Sequence, residues 1–385
     1  MSAQITVIGA GIAGLATAVA LHRTGHDVTV IEQRTDITTG AGISIWPNAL
    51  AALDEIGLGD EVRRAGGRVT AGAIRWRDGR WLRRPSAQRI VNALGEPLVV
   101  VRRSALTDIL RGALPAHTVQ TGVTATGLVI TDTSIQVTLA GSQIREADAV
   151  VGADGVNSVV ARILNGPLPS RYVGYTAWRG VAAYPLDPML AGKTMGNGTE
   201  VGHVPLGPDH TYWFATERAP EGSSAPGGDH AYLTAKLASW AEPIPELIAC
   251  TDPADLLRND LVDRVQPKHW SRGPAVLVGD AAHPMRPHLG QGGCQALEDA
   301  AILARFIELA PDLPTAFARF GRFRRPRVGR LVRESAMLGR IVNMRPAFLS
   351  GAASRATALI PERVVTSHLT SIAARSAFSL PTAAS

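Results

Sequence analysis

The chain opens on an apolar run, Ile5 to Ile8, that reads as a buried strand over residues 4–8. A glycine turn follows, then a helical pattern from Ile12 to about Thr24, with Leu15, Val19 and Leu21 apolar and Gly25 as the stop. DVTVIEQ is a second strand. Strand, helix and strand at this spacing form a βαβ unit, which implies a parallel sheet. SALTDILRGAL reads as a further helix with Ser104 as its N-cap. Two alternating strands near 123–139 and the buried strand of ADAVVGADG extend the same unit. From about Tyr172 to Arg264 the texture changes. Short apolar runs alternate with Gly/Pro turns, and Tyr172, Tyr175, Trp178, Tyr184, Tyr212, Trp213 and Phe214 cluster there. That pattern predicts a mostly antiparallel sheet, with 222–230 as a surface loop. PAVLVGD returns to a buried strand, long helices follow to about Met344, and 345–385 carry weak helical patterns and a loose polar end.

Composition changes this picture little. The 385 residues are 45% hydrophobic and 19% charged, ordinary for a globular chain of about two or three domains. The expected division is a discontinuous unit (1–70, 95–170 and 265–335), a sheet unit (71–94 and 171–264) and a C-terminal helical tail (336–385). The first residues lead straight into a strand, and no apolar run reaches about 18 residues, so neither a signal peptide nor a spanning helix is expected. Cys250 and Cys294 provide no disulfide framework and no metal spacing, which fits a reducing cytoplasm. The formal charge of +6 rests on arginine, with Lys193, Lys236 and Lys268 the only lysines. In RFGRFRRPRVGRLVRES, Arg327, Arg330 and Arg333 recur along one helical face. A solvated or ion-paired helix explains them better than nucleic acid does.

Chemistry enters at the first turn. Gly9-Ala10-Gly11-Ile12-Ala13-Gly14 is a G-x-G-x-x-G, weak alone but here set between a strand and a helix. Gly9 makes the tight turn, Gly11 lets backbone approach a pyrophosphate, and Gly14 packs helix on strand, while Ile12 and Ala13 begin the helix whose free N–H groups face the phosphates. Glu32 ends the next strand, 18 residues after Gly14 and beside Gln33, placed to accept from a ribose 2′-hydroxyl. An acid there favours NAD or FAD over NADP.

A second strand, acid, glycine and helix sequence lies about 270 residues on: VGDAAHPMRPHLGQGGCQALEDA. Asp280 ends its strand as Glu32 ends its own, and Gly290, Gln291, Gly292 and Gly293 put bare N–H groups at a helix start. A simple dehydrogenase has no need of this element. A flavin does: a ribityl chain for the acid, and a ring whose N1–C2=O edge becomes anionic on reduction for the dipole.

Together these residues resemble the class A flavin-dependent aromatic monooxygenases, of the para-hydroxybenzoate hydroxylase fold. G-x-G-x-x-G with Glu32, a DG motif at Asp154-Gly155 and a GD motif at Gly279-Asp280 occur in the family's order. The run G-D-A-A-H-P-x-x-P-x-x-G-Q-G-G-C-x-A-x-E-D-A is most similar to the urate hydroxylase, zeaxanthin epoxidase and salicylate hydroxylase branch, and the resemblance covers about 4–335. It implies an α/β fold: a Rossmann-like, GR2-type FAD-binding domain, a mostly antiparallel substrate domain and C-terminal helices. It also implies that Asp280 holds ribityl or pyrophosphate-side oxygens and that Pro287 and Gly290 line the ring. The N–H groups of Gly293 and Cys294, after Gly292, would face its pyrimidine edge. Arg103 fills the family's R-x-x-L position near the ribityl phosphate. Gly40-Ala41-Gly42-Ile43 resembles the loop on which the flavin swings, and Asp154 resembles the acid tied to FAD and NAD(P)H handling.

Three positions depart from the family's patterns. Ala161 stands where the DG motif has arginine, with Arg162 next to it; His288 replaces an aspartate and Glu200 an arginine of the urate hydroxylase pattern, so urate is not the expected substrate. The implied cycle reduces non-covalent FAD with NADH or NADPH, adds O2 to give the C4a-hydroperoxide, and hydroxylates a planar aromatic or heteroaromatic small molecule. Such an enzyme is a monomer or a homodimer. No Ser–His–Asp or metal constellation is required. The candidate catalytic groups are Arg179, His203 and His288, the histidines as bases. Trp46, Trp178, Arg179, His203, Tyr212, Phe214, Met285 and Pro287 are the expected pocket lining. An epoxidase would need a greasier pocket without Arg179 and His203 facing inward. A non-catalytic FAD-binding or chaperone-like protein has only Ala161 in its favour, and the W-x-W-x-I-P stretch of flavin halogenases is absent.

Overall fold

β-Branched residues fill the runs read above as buried strands, and those runs assemble into one sheet. The computed structural model describes residues 2–36, 41–131 and 134–382; Gly40 of the expected swinging loop lies outside them. Across the sheet the order is Ser271–Arg272, Ala275–Leu277, Ala149–Gly152, Gln4–Ile8, Asp27–Glu32 and Val119–Thr121. Every neighbouring pair is parallel except the first. Ile5 lies opposite both Val28 and Ala149, so the strand after the first helix and the strand before the DG motif flank the chain's opening segment. The helix Ile12–Arg23 packs on the strands Gln4–Ile8 and Asp27–Glu32 of this sheet and on the helix Gly292–Leu309. The first helix begins at Ile12 as its pattern requires. The helix Arg103–Gly112 starts at Arg103, with Arg102 as its N-cap, so Ser104 sits inside the first turn and caps nothing.

A seven-stranded sheet forms the second wall, in the order Leu257–Arg264, Ser170–Ala182, Thr211–Glu217, Thr199–Pro205, Gly192–Gly196, Ala73–Trp76 and Trp81–Arg83. All its pairs are antiparallel except Gly192–Gly196 with Ala73–Trp76. One face carries Trp178, Val201, Trp213 and Ala215 against Leu233, Leu237, Leu247 and Ile248 of the helices Asp229–Leu237 and Ile244–Ala249. Trp213 is fully buried, and its indole N–H donates to the Thr251 hydroxyl at 2.8 Å, the partner a buried indole requires. The opposite face looks toward the parallel sheet. Between the two walls lies a three-stranded sheet of Gly42–Ile45, Gly67–Val69 and Leu98–Arg102.

The helix Leu313–Val342 begins where the Asp312 carboxylate accepts from the Thr315 N–H at 2.7 Å, a side-chain cap with Pro314 in the first turn. It runs without a break through residue 335, so no separate tail begins at 336. Further on, Ile372, Ala373 and Ala374 are buried against Leu94 and Leu331. Arg327 on this helix pairs with Glu298 at 2.8 Å, while Arg330 and Arg333 are exposed. Among the described residues no helix is long and apolar enough to cross a membrane.

Candidate active site

At the carboxyl ends of Gln4–Ile8 and Asp27–Glu32 the parallel sheet opens into a cleft of about 400 Å³, where open α/β sheets place their ligands. Gly9 has φ of +106°, and a Cβ there would lie 2.5 Å from the Ala153 carbonyl oxygen, so only glycine passes. A Cβ on Gly14 would strike the Gly9 carbonyl, whereas one on Gly11 would meet nothing within 4 Å, leaving room for a phosphate beside the helix start. Glu32 accepts from the Ala10 and Arg34 N–H groups, each at 2.9 Å, which fixes its carboxylate and leaves lone pairs for a ribose hydroxyl. Gln33 borders the same cleft. Asp154 accepts from the Ser158 hydroxyl at 2.5 Å and the Val159 N–H at 2.6 Å, shaping the entry to the helix Val159–Asn165; burial raises its carboxyl pKa in spite of those bonds. Ala161 is packed in the core, while Arg162 borders the cleft and donates to the Asn157 carbonyl at 2.7 Å.

Arg103 borders this cleft and an inner cavity of about 300 Å³. The two glycine motifs meet here: a Cβ on Gly279 would lie 2.6 Å from the Ala13 Cβ. Asp280 is exposed to the inner cavity and has no side-chain hydrogen bond or ion pair among the described residues. Desolvation raises its carboxyl pKa although His283, Arg103 and Arg264 pull the other way. Desolvation likewise lowers that of Arg103, with Asp280 opposing. A carboxylate and a guanidinium left without direct partners beside open space are what a polyol phosphate would satisfy. Gly290, Gly292, Gly293, Met285 and Pro287 complete this side, at the N-terminus of the helix Gly292–Leu309, whose first-turn amides have no intrahelical acceptor. Ile43 lies against Gly293, and a Cβ on Gly42 would come within 2.5 Å of the Tyr212 ring, so the loop end rests on the sheet wall. These donors, acids and close backbone approaches fit FAD.

Two residues of this region stand behind the lining. Trp46 lies under Gly290 with its indole N–H buried and unpartnered. Cys294 is fully buried, its Sγ accepting from the Trp46 backbone N–H at 3.5 Å; burial pushes its thiol up to about 12, so it stays a neutral packing group.

Beneath this shelf is an ionic network. Arg324, 1% exposed, donates to Glu298 at 2.6 Å and to Asp299 at 2.8 Å. Asp299 accepts from the Gly279 N–H at 2.9 Å and contacts the His283 ring at 2.6 Å. Glu298 accepts from Asn48 at 2.7 Å, and Asn48 also donates to Gln291 at 3.0 Å. The Gly279–Asp280 corner and the Gly290–Gly293 turn are thereby tied to one guanidinium.

The sheet wall follows the two-residue alternation of strands. Arg179 and Ala177, then Tyr212, Phe214 and Thr216, border the inner cavity. Trp178, next to Arg179, points to the opposite face and packs with Tyr232, so it is removed from the expected lining. His203 is removed too. It lies on the far face, 3.1 Å from the Thr194 hydroxyl, and desolvation followed by Arg75 lowers its pKa to about 3. It has neither the position nor the basicity of a substrate base.

Glu200 and His288 both border the cavity and are buried. His288 Nδ1 is 3.0 Å from Glu200 Oε1, and its Nε2 is 2.8 Å from the Tyr175 hydroxyl. Both ring nitrogens of His288 are thus engaged by the protein. Burial alone would raise the Glu200 carboxyl, but Lys193 at 3.1 Å and His288 outweigh it and hold it near a pKa of about 2. The two departures from the urate hydroxylase pattern are therefore one interaction, an acid and a base exchanged between the two walls. Sequence reasoning noted Glu200 as a departure only; its place in the lining follows from its register opposite Thr216. Arg286, also in the lining, is held by Asp263 at 2.5 Å.

The FAD binding domain family matches residues 2–311. An aurachin C monooxygenase/isomerase of Stigmatella aurantiaca is 37% identical over 348 residues, covering 89% of this chain and 91% of its own. A 3-amino-4-hydroxybenzoate 2-monooxygenase of Streptomyces cremeus is 33% identical over 345 residues, covering 87% of this chain and 86% of its own. The crystal structure of Klebsiella pneumoniae HpxO complexed with FAD and uric acid superposes with a TM-score of 0.89 at 28% sequence identity, covering 96% of each chain.

Proposed function

Because this chain belongs to the FAD binding domain family of flavin-dependent monooxygenases, we propose that it uses NADH or NADPH and O2 to hydroxylate a planar aromatic or heteroaromatic small molecule. The contact of Gly279 with Ala13 carries the reading, since it joins the nucleotide cleft and the inner cavity across Arg103. FAD held there would supply the electron transfer and oxygen activation. Glu32 would hold its adenosine ribose, Arg103 and Asp280 the central polyol and phosphates, and the first amides of Gly292–Leu309 the pyrimidine edge. Arg162 stands in for the arginine absent at 161 in receiving a pyridine nucleotide.

On the substrate side, Arg179 and Tyr212, which line the inner cavity, would face the ring's oxygen substituent. A guanidinium beside a phenol favours the phenolate, which activates the ring without a dedicated base. The Glu200–His288 pair would position a ring N–H or hydroxyl. This polar wall favours hydroxylation over epoxidation of an isolated alkene. The reading places the enzyme in the cytoplasm, consistent with Cys250 and Cys294 both being free thiols.

The test is product formation with isotopically labelled dioxygen. A panel of phenols and N-heterocycles should include a ligand that gives a ring-hydroxylated, labelled product with stoichiometric NAD(P)H oxidation. Hydrogen peroxide as the sole reduced-oxygen product across the panel would reject the proposal.

A further inference from the structure

A smaller cavity, of about 150 Å³, lies behind the polar part of the sheet wall. Glu200 and His288 belong to both linings, so the two spaces share this pair as a partition. Behind it the surroundings are largely apolar: Met195 from the sheet, Leu338, Ile341 and Val342 from the long helix, and Ala353 from the helix Ala347–Ala356. Nothing in the ring chemistry uses this space.

We propose that this annex binds an aliphatic chain carried by the aromatic ring, so that the substrate is an alkyl- or alkenyl-substituted planar ring. The inference rests on the inner cavity being the ring site. Three observations carry it. The annex is a mainly apolar recess open on one side, and a hydrocarbon chain that fills it removes apolar surface from water. The partition is already satisfied internally, Glu200 by Lys193, Thr216 and His288, and His288 by Tyr175, so a chain lying against it strands no polar group. The long helix is also held against this pair: a Cβ on Gly339 would come within 2.7 Å of His288 Nε2, and glycine there lets the helix close on the imidazole.

The test uses FAD-loaded enzyme and 4-n-alkylphenols from methyl to nonyl, with binding read from the flavin absorbance spectrum. Affinity should rise about fourfold per methylene and level off near about six carbons, the content of a benzene-sized void. Ala353→Phe should abolish the chain-length dependence while FAD content and 4-methylphenol binding stay unchanged, and Ile341→Ala should move the plateau to longer chains. Chain-length dependence absent in the parent enzyme, or undiminished in Ala353→Phe, overturns the annex. If 4-methylphenol binds and is hydroxylated while chain length has no effect, the annex falls and the hydroxylase reading stands. If no alkylphenol perturbs the flavin or stimulates NAD(P)H oxidation, the ring site falls and the annex falls with it.

Discussion

The two walls of the inner cavity are made of different material. The cofactor wall is mainly backbone: a helix start, glycines admitted by close approaches, and one carboxylate, Asp280, all anchored through Asp299 and Glu298 to Arg324. The substrate wall is side chain: Arg179, Tyr212, Phe214 and the Glu200–His288 pair, borne on strands whose opposite face is an ordinary tryptophan-rich core. A backbone wall recognises a constant partner, because amides and glycines leave few ways to vary. A side-chain wall changes its partner by exchanging residues on a fixed frame, and the pair of Glu200 with His288 is such an exchange.

The largest expected effect strikes the foundation of the first wall. Arg324→Ala removes the guanidinium that Glu298 and Asp299 share, leaving Glu298 to Arg327 and Asp299 to His283, and stability should fall by about 3 kcal/mol, measured as a lower urea midpoint. An unmoved midpoint would mean that the cofactor wall does not depend on this network. Asp280→Ala comes next: FAD should bind about 10- to 100-fold more weakly in a fluorescence titration, as for loss of a charged hydrogen-bonding group. Asp280→Asn sharpens the point. Burial raises the folded-state pKa of this carboxyl, so above its unfolded pKa the charge destabilises the FAD-free protein. The amide should therefore raise the FAD-free melting temperature while still weakening FAD, and a lower melting temperature would contradict the assignment.

On the substrate wall, Arg179→Met should raise KM for an anionic ring by about tenfold, with a smaller change in kcat. Equal KM in both proteins would take Arg179 out of the wall. His203→Gln, on the far face, should leave activity and its pH profile unchanged. Its folded pKa of about 3 lies below the unfolded 6.5, so the unfolded chain takes up the proton first and stability declines as pH falls between those values. The substitution should flatten that decline in acid melting curves. A shifted activity profile would return His203 to the chemistry.

The cofactor wall was legible because its requirements are local. A tight turn needs Gly9, an acid must end the strand at Glu32 and again at Asp280, and bare amides must open a helix; each is written in consecutive residues. The substrate wall is written in register, which consecutive residues do not disclose. Trp178 and Arg179 are neighbours and so cannot face the same way, yet which of them faces inward depends on pairing with Phe214 across the ladder. Glu200 enters because it opposes Thr216, and His203, three positions on, leaves for the same reason. The residue type of Ser104 suggests a cap, but the helix gains one residue before it and no side chain caps it. The annex needs Ala347–Ala356 docked beside the sheet, a contact that weak helical patterning leaves silent.

The helix Leu313–Val342, thirty residues and about 45 Å long, touches both walls. Arg324 grips the cofactor shelf near its start, Ser335 donates to the Arg286 carbonyl at 2.5 Å, and Leu338 and Ile341 face the annex near its end. It acts as a ruler. Inserting one residue between Arg324 and Ser335 would turn the far half by about 100°, swinging Leu338 and Ile341 away while the guanidinium stayed in place. Diversification of this segment is thus confined to substitution at constant length, and drift in its length would uncouple the choice of ring substituent from cofactor retention.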